Sequence, residues 1–258
     1  MTKKKLEELK EFLDFKVDQY NVPNFIEQDP IQIPHEFEIR QDIEIAGFLT
    51  SIIAWGTRKS ILTDAHKMLD WMDDAPYDFV KNFTEKDLDF FRDKVVHRTF
   101  SGEDLAYFLK QLQRLFHQSE TLETYFLLQE NEYNLYHSLE RFRNHFFEGE
   151  FTHRSQKHIS STYKNSAAKR LVMFMRWMVR ADARGVDFGL WKNINPGVLS
   201  IPLDVHTANI SRKLNLVKRK QNDWKTVEEL DDVLRKLDAK DPAKYDFALF
   251  GLGVTNEL

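Results

Sequence analysis

Residues 201–216 read IPLDVHTANISRKLNL, and the rest of the chain is best read outward from them. Pro202 holds the residue before it in extended backbone and cannot sit inside a following helix, so the chain turns from extended to helical just after Asp204. A carboxylate at that junction accepts hydrogen bonds from free amides of the first helical turn. It also projects from the end of a rigid element toward a bound ligand. Such a cap is worth about 1 kcal/mol, and capping does not prevent the same carboxylate from doing chemistry. His206 has no other histidine or acid at metal-ligand spacing, so it is read as structural and no metal site is expected.

Outward from this motif the pattern is helical. Nine Gly and seven Pro in 258 residues leave few breaks, and few windows alternate with period two. A hydrophobic fraction of 42% is enough for one large domain or two lobes sharing a core. Leu6, Leu9, Leu13 and Val17 predict an amphipathic helix from Lys4 to about Tyr20, and the Pro-containing run 22–34 reads as an ordered loop. Residues 42–54, DIEIAGFLTSIIA, are apolar over much of the circumference and predict a central core helix ended by Trp55 and Gly56. Further helices are predicted over 59–72, 77–83, 86–92, 102–117, 120–130 and 134–147, and the polar stretch 149–165 opens a basic half.

No cysteine is present, which removes disulfides, thiolate zinc sites and cysteine-ligated iron–sulfur clusters. The basic N-terminus lacks an apolar core and the most apolar helix is interrupted by Arg176 and Arg180. Neither a signal peptide nor a membrane span is expected, and a cytoplasmic location is the default. The net charge of −4 hides a segregation: residues 154–225 hold 15 Lys and Arg against 4 Asp, a balance of +11, while the remainder carries 22 basic and 37 acidic residues. On charge alone two readings stand equal. One is a basic face for a phosphate backbone, the other a basic half that pairs with an acidic half.

Residues 166–184, SAAKRLVMFMRWMVRADAR, predict a long helix capped by Ser166. At 3.6 residues per turn Lys169, Arg176 and Arg180 share one stripe, while Leu171, Phe174, Met175 and Met178 cover other faces. Most such stripes are solvated or salt-bridged. The sharper reading is a lysine opening a buried helix, where desolvation favours the neutral, nucleophilic amine.

The motif around Asp204 resembles the "PvDtHv-R---RLgL" signature of the helix-hairpin-helix (HhH-GPD) DNA glycosylase superfamily, whose aspartate in that slot is catalytic. More closely, the chain resembles a bacterial family distantly related to it, the domain-of-unknown-function 2400 family. Lys169 to Phe174, KRLVMF, is similar to the helix start that carries the Schiff-base lysine in the archaeal 8-oxoguanine DNA glycosylases, a branch of the superfamily, and it stands 35 positions before Asp204. FLTSIIAWGTRKSILTDAHKML resembles an early core helix, turn and following helix, with Gly56 and Thr57 near the turn that faces DNA. YDFALFGLGV resembles the element that follows the catalytic helix, without the cluster-binding cysteines that many relatives begin there, and so implies a clusterless member. The glycine-rich hairpin "LPGVGxxTA" is absent; HISSTYKNSAAK stands in its place.

The resemblance implies an all-α, two-lobed fold, with 41–194 as a central lobe and 1–40 with 195–258 as the second. It also implies a DNA base-excision enzyme with associated abasic-site lyase activity, an oxidised purine being the substrate of the nearest branch. Such an enzyme flips a damaged nucleotide out of the duplex into a pocket between lobes. Lys169 would attack the sugar C1′ and form a Schiff base, and Asp204 would deprotonate the amine or stabilise the developing sugar cation. No cofactor is required. Lys164, Arg176, Arg180, Arg212, Lys213, Lys218, Arg219 and Lys220 would meet DNA phosphates, and Trp55 or Trp177 would stack on a base. The alternatives are a DNA-binding protein of the same fold without catalysis and a helical scaffold that binds no nucleic acid. Whether Lys169 and Asp204 face the same place separates the first two.

Overall fold

The computed structural model describes residues 2–149, 154–255 and 257. Residues 150–153, part of the polar stretch expected to open the basic half, lie outside the described residues. Helices dominate, and the one sheet among the described residues is a two-stranded hairpin, β1 (Val95–His97) and β2 (Phe100–Ser101). The chain is therefore all-α in class. No described helix is long and apolar enough to cross a membrane.

The chain divides into two compact units. One is built from residues 1–27, 128–138 and 161–258, the other from 28–127 and 139–160. The expected central lobe, 41–194, differs from this at both ends: the central unit begins at 28, and 161–194 belong with the termini. The reason lies in what the helix after Ala168 packs against. Its arginines pair with Asp241 and Asp246 near the C-terminus, a partnership that hydrophobic periodicity does not encode.

In the central unit, α2 (Arg40–Ile52) is buried on every side from Asp42 onward, as its apolar circumference predicts. Thr57 caps α3 (Arg58–Asp70), and α4 (Pro76–Asn82), α5 (Glu85–Arg92) and α6 (Gly102–Gln118) follow. Ser101 and Asp104 form a reciprocal capping box at the start of α6. Phenylalanines fill the core, with Phe48 against Phe142 at 5.7 Å and Phe108 against Phe146 at 4.9 Å between ring centres. The helix expected over 120–130 is only a tight 3-10 turn, Leu122–Phe126. Buried Glu44 accepts from the Thr121 hydroxyl at 2.6 Å and the Leu122 amide at 2.7 Å, which fixes a turn where a longer helix was expected. The last helix of this stretch, α7 (Tyr136–Phe146), crosses from the terminal unit into the central one.

The terminal unit holds α1 (Lys3–Tyr20), α8 (Lys169–Val179), α9 (Val205–Lys213), α10 (Trp224–Leu237) and α11 (Tyr245–Thr255). Two glycines let α11 close on its neighbours. A Cβ at Gly251 would fall 2.3 Å from the Tyr20 ring of α1, and one at Gly253 would fall 2.8 Å from the Cβ of His206 on α9.

Candidate active site at two helix starts

Asp204 is the N-cap of α9. Its backbone is extended, with φ −98° and ψ −175°, and its Oδ1 accepts from the Thr207 amide at 2.8 Å. The segment leading to it is strapped onto α10. The Arg235 guanidinium donates to the carbonyls of Gly197 (3.1 Å), Val198 (3.3 Å) and Leu199 (3.2 Å), and Asp231 Oδ1 accepts from the Ile201 amide at 3.3 Å. Burial pushes the Asp231 carboxyl up to about 7, against the opposing pull of Arg235. Neither residue was singled out from the sequence. The signal was an acid on the apolar face of α10, where Val227, Leu230 and Leu234 are all buried beside it.

The stretch before Lys169 forms a tight turn without glycine. The Asn165 amide donates to the Thr162 carbonyl at 2.8 Å and the Ser166 amide to the Ser161 carbonyl at 3.2 Å. Asn165 at φ +61° and Ala168 at φ +44° occupy the left-handed region that glycine usually supplies. Asparagine tolerates it, whereas alanine is strained there by about 1–2 kcal/mol. Asp223, the cap of α10, anchors the turn by accepting from Asn165 Nδ2 at 2.9 Å, and the Trp224 amide donates to the Asn165 carbonyl at 3.2 Å. Ser166, expected to cap a helix, is bridged to Asp223 instead, so α8 opens at Lys169 itself.

These two anchored segments bring Lys169 Nζ within 3.5 Å of Asp204 Oδ2, with side chains 36% and 14% exposed. The expected desolvation of Lys169 is corrected. At the first position of α8 it keeps contact with solvent, and its ionic partner is Asp204 rather than an apolar sheath.

The arginines of the same stripe are also corrected as phosphate contacts. Arg176 and Arg180 are 3% and 2% exposed in their side chains. Arg180 reaches Asp187 (3.0 Å), Asp182 (2.7 Å) and Asp241 (3.0 Å), while Arg176 pairs with Asp187 (3.3 Å) and Asp246. Burial by itself lowers the Arg180 guanidinium, and the carboxylates of Asp187, Asp241 and Asp182 outweigh it and hold the charge. Buried and neutralised, these two cannot serve a phosphate. Arg212 donates to the carbonyls of Arg219 (2.8 Å), Lys220 (2.9 Å) and Gln221 (3.3 Å), and Arg219 pairs with Asp223, so both shape the loop after α9. Lys164, Lys213, Lys218 and Lys220 are exposed. Trp177 is fully buried and is withdrawn as a base-stacking residue, whereas Trp55 is half-buried against His97 and His158.

His206 Nδ1 lies 3.2 Å from the Gly253 carbonyl, a helix-to-helix contact. Among the described residues no cluster of His, Cys, Asp and Glu is arranged to hold a metal ion. In the central unit Asp104 is held well below the usual carboxylate range. Burial raises it, but hydrogen bonds from His158, Ser101 and Ser155 prevail.

The sequence family described as protein of unknown function (DUF2400) matches residues 29–255 of the chain. Neither the curated proteins nor the solved structures give a match.

Proposed function

We propose that this chain, which belongs to the DUF2400 family, is a DNA base-excision enzyme of the helix-hairpin-helix glycosylase type with abasic-site lyase activity. The observation that carries the reading is the 3.5 Å approach of Lys169 Nζ to Asp204 Oδ2, from the starts of two different helices and in a partly exposed position. A nucleophile and a base within reach of one another are the minimum for amine catalysis. A DNA-binding protein without catalysis needs no such pairing.

In this reading Asp204 Oδ2 takes a proton from the Lys169 ammonium. The neutral amine then attacks C1′ of an extruded nucleotide. The C1′–N bond to the base breaks, and the base leaves with the bonding electron pair and is protonated. Cleavage of C1′–O4′, with a proton passing to O4′, opens the sugar and leaves a protonated imine between Nζ and C1′. Asp204 passes its proton to the departing base, and the carboxylate so restored stabilises the positive charge of the imine at C1′. Exposed Lys164, Lys213, Lys218 and Lys220 supply sequence-independent phosphate contacts. An oxidised purine is the first substrate to try, on the resemblance of the Lys169 segment to the archaeal branch.

Borohydride trapping on duplexes bearing oxidised, deaminated, alkylated and abasic nucleotides tests this directly, because the hydride reduces the imine to a stable protein–DNA amine. Trapping by the wild type and none by Lys169→Gln is the expected result. Retention by DNA at low salt with no trapping on any substrate would leave a binding protein. No retention at any salt would leave the scaffold.

A further inference from the structure

Six positions before Lys169, at the turn that leads into α8, Tyr163 is 55% exposed. It is the outermost of three aromatic rings that lead from the core to the surface. Trp224, 1% exposed, lies 5.5 Å from the half-buried ring of Tyr136, and Tyr136 lies 5.1 Å from Tyr163, tilted by 31°. The ring is also fixed at its edge. Its hydroxyl and His137 Nδ1 are hydrogen-bonded at 2.7 Å, and the His137 ring meets it edge-on at 5.6 Å. The backbone beneath is tied down too, because the Thr162 hydroxyl donates to the Tyr136 carbonyl at 2.7 Å. A large aromatic held this firmly in water loses little rotamer entropy when something stacks on it.

We propose that Tyr163 is a stacking platform for an unstacked DNA base. The proposal rests on the DNA reading above and adds a substrate-binding residue to it. Charge and shape favour a base over an apolar partner. The neighbouring side chain is the exposed ammonium of Lys164, on the same turn, and the exposed lysines Lys213, Lys218 and Lys220 belong to the same unit. An exposed aromatic ring next in sequence to an exposed lysine is the combination that single-stranded nucleic-acid sites use, since every base has a face and every linkage a charge. The order along the chain fits as well: platform, phosphate contact and amine follow one another at 163, 164 and 169.

The test uses the full chain and two probes: a single strand carrying 2-aminopurine, whose fluorescence is quenched on stacking, and a duplex with a tetrahydrofuran abasic analogue beside 2-aminopurine. Wild type and Tyr163→Phe should bind and quench. Tyr163→Ala should lose the quench and bind about 5- to 150-fold more weakly, with an unchanged salt slope. Lys164→Gln should do the converse, lowering the slope by about one phosphate and keeping the quench. Circular dichroism melting confirms that each variant is folded. Undiminished quench and affinity in folded Tyr163→Ala would overturn the platform while leaving the DNA reading standing. No binding of either probe by the wild type would overturn both.

Discussion

The two ends of α8 carry the same kind of charge on the same stripe, yet they have opposite fates. At the C-terminal end Arg176 and Arg180 are sealed among Asp182, Asp187, Asp241 and Asp246, with the Phe247 ring 4.5 Å from the Arg176 guanidinium. At the N-terminal end Lys169 stays about a third exposed and faces one carboxylate that itself caps another helix. Cationic character in a helix therefore says little about use; what decides is the number of carboxylates the fold delivers and whether water remains. The first end is a buried network that holds α8, the 182–187 loop and α11 together. The second is a single, partly exposed ion pair.

The strongest way to break this comparison is at the sealed end. Arg180→Met leaves Asp187 buried beside one fewer guanidinium and should cost about 3–5 kcal/mol in urea unfolding, with no change in the salt dependence of DNA retention. A loss below about 1 kcal/mol would show that the network is not what holds this end, by the same reasoning about uncompensated buried charge.

Next in size is the support of the Asp204 segment. The Asp231 carboxyl rises from its ordinary 3.8 to about 7 in the fold because burial disfavours its charge. A raised folded value means that this group's stabilising contribution is complete below pH 3.8 and is lost as the pH climbs through about 7. Across that window the stability of Asp231→Asn relative to the wild type should improve by up to about 4 kcal/mol. Unfolding curves at a series of pH values with a constant difference between the two proteins would rule this out.

A smaller effect is expected at the turn before Lys169. Ala168→Gly relieves a left-handed alanine and should raise stability by about 0.5 kcal/mol after the extra unfolded-state entropy of glycine is deducted. A fall in melting temperature would mean that packing of the buried Ala168 methyl outweighs the strain.

Smallest of all in stability should be the Lys169–Asp204 end. Lys169→Gln removes a partly exposed pair, and Asp204→Asn keeps the cap because asparagine caps as well as aspartate, so each should shift unfolding by no more than about 0.5 kcal/mol. Both should nevertheless abolish borohydride trapping. Full trapping in folded Asp204→Asn would remove its carboxylate from the chemistry.

Much of this fold was legible because local rules and tertiary packing agree. Pro202 and Asp204 mark a helix start that the backbone bears out, and the apolar circumference of 42–54 predicted burial that α2 shows. Legibility failed where a distant residue intervenes. Glu44 confines 120–130 to a short turn, and Asp223 claims the segment around Ser166 and moves the start of α8 to Lys169. The hairpin Val95–Ser101 is too short for alternation to register, and its turn uses Arg98 at φ +50° where no glycine signals it.

By itself the sequence determined the helical class, the cap at Asp204 and the basic segregation of 154–225, since periodicity, proline and charge are properties of neighbouring residues. Tertiary structure alone decided which of those charges remain available. Whether Lys169, Arg176 or Arg180 faces water or carboxylates depends on Asp182, Asp187, Asp204, Asp241 and Asp246, most of them on other elements. Their distance along the chain carries no information about distance in space.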